Sequence, residues 1–334
     1  MLGVLYEHPE WFVPLFAELD RRGLPHRPIA ADALCYAPAA TSSPYSLVFN
    51  RMSPSAYLRG HTRAIFAAQH FLAHLERLGV PVINGSRAYA LELSKARQLD
   101  LLAQLGLPAP STHVVNAAAQ LEAAAERLEF PLIVKPNVGG SGALMRRFDS
   151  LDELAESRAA GSLDDLFGID GTALVQEYHP PRDGAIVRVE ALDGNYLYAI
   201  RISNDPSQGF NLCPADICQT PSAPSAAADG FDLCPADAPA TVTRTVEAAD
   251  PPGWVKEAVL RICATAGLDL SGVEFLESER DGRLYFYDIN ALSNFVADAP
   301  NVVGFDPFIR LGDVLERRLA AASGVGDRSL HTVR

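Results

Sequence analysis

The sequence predicts an α/β chain that opens with a small parallel-sheet domain and continues in units mixing helices with hairpins. Three observations carry this expectation. Over the first 85 residues, short apolar runs alternate with amphipathic stretches. Further on, apolar runs pair across Asp193-Gly194 and around Asp281-Gly282, dipeptides that favour tight reversals. The chain has 334 residues, 48% apolar and 21% charged, enough for two or three packed units.

In chain order, Leu2 to Tyr6 reads as a buried strand and Glu10 to Arg22 as a helix stopped by Gly23 and Pro25. Leu47 to Phe49 is a second strand, running into Asn50 and Arg51. His61 to Leu78 is a helix with Ile65, Phe66, Leu72 and Leu75 at helical spacing, and Val80 to Ile83 a third strand. Ser94 is a helix N-cap, with Leu99, Leu102 and Leu105 following before Gly106 and Pro108. Ala117 to Leu128 reads as an alanine-rich helix. Phe130 to Val134 and Ala143 to Phe148 are strands flanking the glycine-rich run Asn137 to Gly142, and Ala173 to Glu177 is another. Ile186 to Leu192 and Tyr196 to Ile202 form a hairpin. Residues 205–252 lose apolar periodicity and read as a surface insertion, in which Gly209 to Asp216 is nearly repeated as Gly230 to Asp237. A helix over Trp254 to Ala266, strands over Gly272 to Leu276 and Leu284 to Ile289, and a helix over Pro307 to Ala322 complete the chain. The tail 323–334 is expected to be disordered.

Composition excludes several classes. No run of 18 apolar residues occurs, so no membrane-spanning helix is expected. Residues 1–16 lack a positive leader and carry Glu7, His8 and Glu10, which is unlike a signal peptide. Five cysteines without a CxxC pair suggest neither a disulfide framework nor a zinc site, and fit a reducing cytoplasm. A net charge of −13 opposes nucleic-acid binding, so an anionic ligand would need a local cationic site. Lysine is scarce: of 28 Lys and Arg, only Lys95, Lys135 and Lys256 are lysines.

Lys95 falls in the first turn of the helix capped by Ser94, where a bound phosphate would be drawn to both the helix terminus and the ammonium. Lys135 ends an apolar strand, and two residues later comes the glycine-rich loop, whose amides can cradle an anion. Asp288 and Asn290 are two apart on a strand and share a face; with Glu274 they offer three oxygen ligands suited to Mg2+. A two-residue turn at Asp281-Gly282 would set Glu274 opposite Ile289, on the wrong face, so the metal reading predicts another loop length or a bulge. Arg51, at a strand end, is a candidate clamp for a substrate carboxylate. Cys213 and Asp216 are candidates for an acceptor pocket, and Lys256 reads as a solvated surface residue.

The order of these elements resembles the ATP-grasp superfamily, in particular the branch of the ribosomal-protein glutamate ligases and glutathione synthetases, over roughly residues 85 to 295. The resemblance implies an N-terminal domain (1–85), a central subdomain (86–180) and a C-terminal subdomain (181–322), the last two being α+β subdomains that clasp ATP between them. It implies that Lys95 and Lys135 hold ATP phosphates under the loop containing Gly139, Gly140 and Ser141. Gln176, Glu177, Tyr178 and the His179 amide would surround adenine, and Glu274, Asp288 and Asn290 would ligate Mg2+, with Mn2+ as an alternative. Arg201 matches a basic residue near the transferred phosphate, and Asn211 the asparagine after it. Arg188 matches an arginine of the substrate side, but the acidic ribose contact two residues earlier is replaced by Ile186, with Asp183 the substitute. The family's Asp and Glu ligands are exchanged here, and its Pro-Gly after the metal asparagine is replaced by Ser293, Asn294 and Phe295. The implied activity is an ADP-forming carboxylate–amine ligation through an acylphosphate, in the cytoplasm, on small molecules or a peptide, by a homodimer. Kinase-like phosphorylation and non-catalytic nucleotide binding are the rival readings.

Overall fold

The computed structural model describes residues 1–140, 144–203 and 245–328. Ser141, Asn211, Cys213, Asp216 and the near-repeated segment lie outside the described residues. Three sheets organise the rest. In the first, β1 (Leu2–Tyr6), β2 (His26–Ala30), β3 (Leu47–Asn50) and β4 (Val82–Ile83) run parallel in the order β2-β1-β3-β4. Both faces are covered, which is why β1 and β3 are apolar without alternation. Leu2, Val4, Leu47 and Phe49 face α1 (Val13–Arg21), while Leu5 and Val48 face α2 (Thr62–Arg77). The helix expected over Glu10 to Arg22 is broken: a 3-10 turn, Pro9–Phe12, precedes α1. Pro14 has no amide hydrogen and fits only the opening turn of a helix.

Two helices, α3 (Ser86–Glu92) and α4 (Lys95–Gln104), lead to the second sheet. It comprises β5 (Thr112–Val115), β6 (Leu132–Pro136), β7 (Arg146–Phe148) and β8 (Ala173–Glu177), antiparallel in the order β5-β8-β6-β7. Its core lies under α5 (Leu121–Ala125) and α6 (Leu151–Ala159). The alanine-rich stretch is helical only over α5, after a 3-10 turn at Ala118–Gln120. Leu121, Ala124 and Ala125 are its buried residues, and propensity without packing does not sustain a longer helix.

The third sheet holds β9 (Pro181–Leu192), β10 (Asn195–Ser203), β11 (Thr245–Ala249), β12 (Leu270–Ser278) and β13 (Leu284–Asn290), antiparallel in the order β11-β10-β9-β12-β13. One face packs on α7 (Gly253–Ala266) through Val189, Ala199, Val273 and Phe286. The other contributes Ile186, Ile200 and Ile202 to the same core as Leu2, Phe49 and α1. The short α8 (Ala299–Val303) precedes α9 (Pro307–Arg328). Two expectations are corrected here. Residues 245–249, read as insertion, form edge strand β11, whose mostly exposed positions show no apolar alternation. The last helix continues past Ser323 to Arg328; among its residues whose side chains are described, the last buried apolar one is Leu319. Among the described residues no helix is long and apolar enough to cross a membrane.

Candidate active site

The register of the third sheet sets the site. Arg188, Glu274 and Asp288 lie side by side across β9, β12 and β13, and Glu190, Gly272 and Asn290 form the next rung of the same face. Regular pairing from Glu277–Leu284 inward would put Glu274 opposite Tyr287. The register instead shifts beyond Phe275–Phe286, so that Glu274 meets Asp288. This bulge supplies the one-residue correction that a metal site requires. Tyr287 then donates from its hydroxyl to Glu274 Oε2 at 2.8 Å.

Lysines arrive from the other side. Lys95, first residue of α4, donates from Nζ to Asp288 Oδ1. Lys135, on β6 and 4% exposed, donates to Gln176 Oε1 at 2.9 Å, and Gln176 Nε2 donates to Thr112 Oγ1 at 2.8 Å. From its place on β8 beside β6, the Gln176 side chain thus orients Lys135. Burial, reinforced by the Lys95 charge, pushes Lys135 down to about 7. Burial also opposes the charge of Lys95, but Asp288 outweighs it and holds that ammonium protonated. The same contact, against the cost of burial, keeps Asp288 below the usual carboxylate range. Glu274 moves the other way: burial and the Asp288 charge raise it despite Arg188.

A testable consequence concerns pH. A phosphate bound here, such as that of ATP, would need the ammonium form of Lys135, so above pH 7 its binding would take up a proton. The dissociation constant for ATP is expected to rise with pH, approaching about tenfold per unit. Titration calorimetry between pH 6 and 9 reads it, and Lys135→Met should flatten the slope; an equal slope in that variant assigns the proton elsewhere.

Glu274, Asp288 and Asn290 fit a hard divalent cation by donor type. Asn290 Nδ2 donates to Asp288 Oδ2 at 3.1 Å and to Gly272 O at 3.4 Å, leaving its carbonyl oxygen as the ligating atom. Among the described residues no group of three or more His, Cys, Asp or Glu is arranged to hold a metal. Two carboxylates and one amide therefore need phosphate oxygens or water to complete a shell.

Asn137 was placed in the loop by its sequence but does more. Its carbonyl accepts from Lys95 N at 3.2 Å, and its Oδ1 accepts from Ala96 N at 2.9 Å and Ser94 Oγ at 3.1 Å. Its Nδ2 donates to Asp170 Oδ2 at 2.6 Å. It thereby locks the start of α4 to the end of β6 and sets the two lysines relative to each other. Gly139 and Gly140 run beside the 3-10 segment Pro54–Arg59; a Cβ on Gly139 would lie 3.3 Å from Tyr57 Oη.

At the β8 exit, Glu177 Oε1 accepts from Glu129 N at 3.0 Å, and the Arg147 guanidinium lies 5.0 Å from the Tyr178 ring centre. His179 is buried, stacked on Tyr285 at 4.2 Å with Nδ1 3.0 Å from Ser278 Oγ, and burial lowers its pKa.

Arg201 and Asp183 do not join the site. The register of β10 shifts at Leu197, so Arg201 pairs with Val187 and shares the α7 face, opposite to Arg188. Its guanidinium lies 3.4 Å from Glu247 and 3.6 Å from Asp183, whose side chain is exposed. Lys256 is not simply solvated: it pairs with Asp250 at 2.5 Å and sits 4.8 Å over the Tyr196 ring. Glu92, Glu190 and Gly272 carried no sequence signal of their own. Glu92 is buried, accepts from Ala291 N and is pushed by burial up to about 7. Glu190 lies two residues beyond Arg188 on one strand, which could have drawn attention to it.

No protein-family model matches the chain. The chain is 33% identical over 134 residues to a D-alanine–D-alanine ligase of Hydrogenovibrio crunogenus, covering 40% of each. It is 30% identical over 151 residues to a formate-dependent phosphoribosylglycinamide formyltransferase of Synechococcus sp. (strain CC9605), 44% of this chain and 38% of the other. It thus spans about two fifths of the length of these curated relatives. Among solved structures, the ATP-grasp ligase PsnB complexed with a minimal precursor aligns over 95% of this chain and 98% of its own, with a TM-score of 0.64 and 20% identity. That likeness establishes the fold.

Proposed function

We propose that this chain, which has the ATP-grasp fold, is a carboxylate–amine ligase that converts ATP to ADP through an acylphosphate. The observation that carries the reading is the meeting of Lys95, at the start of α4, and Lys135, on β6 of the second sheet, with Glu274, Asp288 and Asn290 of the third sheet. A triphosphate between them would have its charge offset from one side by ammonium groups. On the other side, a divalent cation held by the three oxygen ligands, Mg2+ or in its place Mn2+, supplies further neutralisation when bound.

Phosphoryl transfer requires mainly positioning and charge. The substrate carboxylate oxygen attacks the γ-phosphorus, and the bond to the bridging oxygen breaks, releasing ADP with the electron pair. An amine nitrogen then attacks the acyl carbon, phosphate leaves, and the nitrogen loses a proton. No side-chain nucleophile is needed. The names of the curated relatives, a ligase and a formyltransferase, support small-molecule substrates, and PsnB, solved with a precursor, supports a peptide as the alternative. The test is ADP release across pairs of carboxylates and amines, with hydroxylamine added. A hydroxamate formed only with ATP and a carboxylate is the expected result. ADP release without hydroxamate points to a kinase, and no ADP release with any pair defeats the proposal.

A further inference from the structure

Two buried charges of opposite sign are left with idle atoms. Arg51 follows β3 and is 3% exposed; its guanidinium lies 5.2 Å from the Phe12 ring centre and 5.3 Å from that of Phe49. Its Nη2 donates to Asn294 Oδ1, but Nε and Nη1 have no partner among the described residues. Glu190, on β9 and 1% exposed, accepts from Arg188 Nε at 2.6 Å through Oε1, while Oε2 has no partner. Among the described Arg, Lys, Asp and Glu side chains, these two alone are buried with idle polar atoms.

Such an arrangement is costly: an unmet buried donor or acceptor loses its water without compensation, and charged groups lose most. The two groups border one cluster: Ile186 and Leu192, on the same face of β9 as Glu190, pack with Phe12 and Phe49, the rings beside Arg51. Burial brings Arg51 down to about 10, and Glu190 and Glu92 are the anions whose fields oppose that fall. Yet Arg51 and Glu190 do not close on each other. The cluster also adjoins the candidate phosphate site. Arg188 bridges Glu190 to Glu274 at 2.6 and 2.9 Å, and Asn294 lies four residues past Asn290.

We infer that Arg51 and Glu190 form a subsite for a free α-amino acid, the guanidinium taking its carboxylate and Glu190 its ammonium. A carboxylate accepts the two idle N–H groups, and an ammonium donates to the idle oxygen. A neutral ligand could meet the hydrogen bonds but would bring no charge to either group, and a simple anion would leave Glu190 unmet and add repulsion. The Phe12 and Phe49 rings on the guanidinium fix its plane, which suits a bidentate partner. The subsite deepens the ligase reading by naming one substrate as a free amino acid rather than an internal residue of a protein. Its binding does not depend on catalysis.

The test is calorimetric titration of the full chain, with ADP and Mg2+ present, with each of the twenty free amino acids. At least one is expected to bind. Its N-acetyl and carboxamide derivatives should each bind about tenfold more weakly or worse, the scale of one lost charged contact. Arg51→Met and Glu190→Gln should reproduce the carboxamide and N-acetyl losses respectively, with circular dichroism confirming the fold. The blocked ligands probe the unaltered protein, so the outcome stands even where a variant fails to fold. Failure of every amino acid to bind, or equal binding of the blocked forms, overturns the subsite. Amino acid binding without ADP release in any substrate pair would retain the subsite and remove the ligase reading. ADP release that needs no amino acid would do the reverse.

Discussion

Asp288→Asn is expected to lower metal-dependent ATP turnover by about two to three orders of magnitude, the loss typical of removing one preorganised charge contact. The same change should leave metal-free nucleotide binding undiminished or stronger. In the free protein, Asp288 neutralises Lys95, and incoming phosphates must displace it. On the proposed reading, removing the carboxylate frees the ammonium for phosphate and would leave the cation with Glu274 and Asn290 alone. One readout falls while the other does not, which general misfolding cannot imitate. Steady-state ADP release with Mg2+, and ADP titration in EDTA, measure them. Turnover within threefold of the parent would take Asp288 out of the metal site.

Gly272→Ala should destabilise the chain by roughly 3–5 kcal/mol, the usual cost of breaking a buried charge pair. Gly272 lies between Glu190 and Asn290 in the third-sheet register, two residues before Glu274 on β12 and beneath the Arg188 guanidinium; a Cβ there would overlap its Nη2, Cζ and Nε. A long side chain normally swings aside cheaply. This one is held by Glu190 at 2.6 Å and Glu274 at 2.9 Å, so moving it strands two buried carboxylates. Urea unfolding of Gly272→Ala, Arg188→Gln and the double variant provides the check. Because both changes break one bridge, the double variant should cost little more than the worse single. Additive losses would show that the glycine and the arginine act separately.

What could be read from the sequence depended on parity along strands. Asp288 and Asn290 share a face whatever the pairing, and Lys135 at the end of an apolar run had to be buried, so both were legible. Positions beyond a bulge were not, because a one-residue slip reverses every side chain that follows. The bulge at Tyr287, which the metal reading required without locating it, brings Glu274 to Asp288, while the unanticipated one at Leu197 turns Arg201 to the α7 face, although unshifted pairing would have set it opposite Ile186 and beside Arg188. Neither residue announces an irregular ladder. Gln176 escaped for another reason: its role depends on β8 lying next to β6, a matter of sheet order rather than local pattern. The same holds for Arg51, whose isolation among aromatic rings is a tertiary fact.

The shared core of the first and third sheets bears on how the molecule is assembled. Leu2, Phe49 and Leu19 pack in one cluster with Ile200, Phe295 and Leu315, and Arg22 of α1 reaches Glu316 of α9 at 3.1 Å. The second sheet instead closes a core of its own, from Val115 to Val175. The opening strands are covered by α1 on one face and by a local core from Leu5 to Tyr89 on the other, but the α1-side cluster is completed only by residues of the last helix, whereas the central unit closes within Val115 to Val175. Completing the α1-side cluster joins residues as far apart as Arg22 and Glu316, 294 positions along the chain, so that cluster needs both ends of the molecule while the central core needs neither.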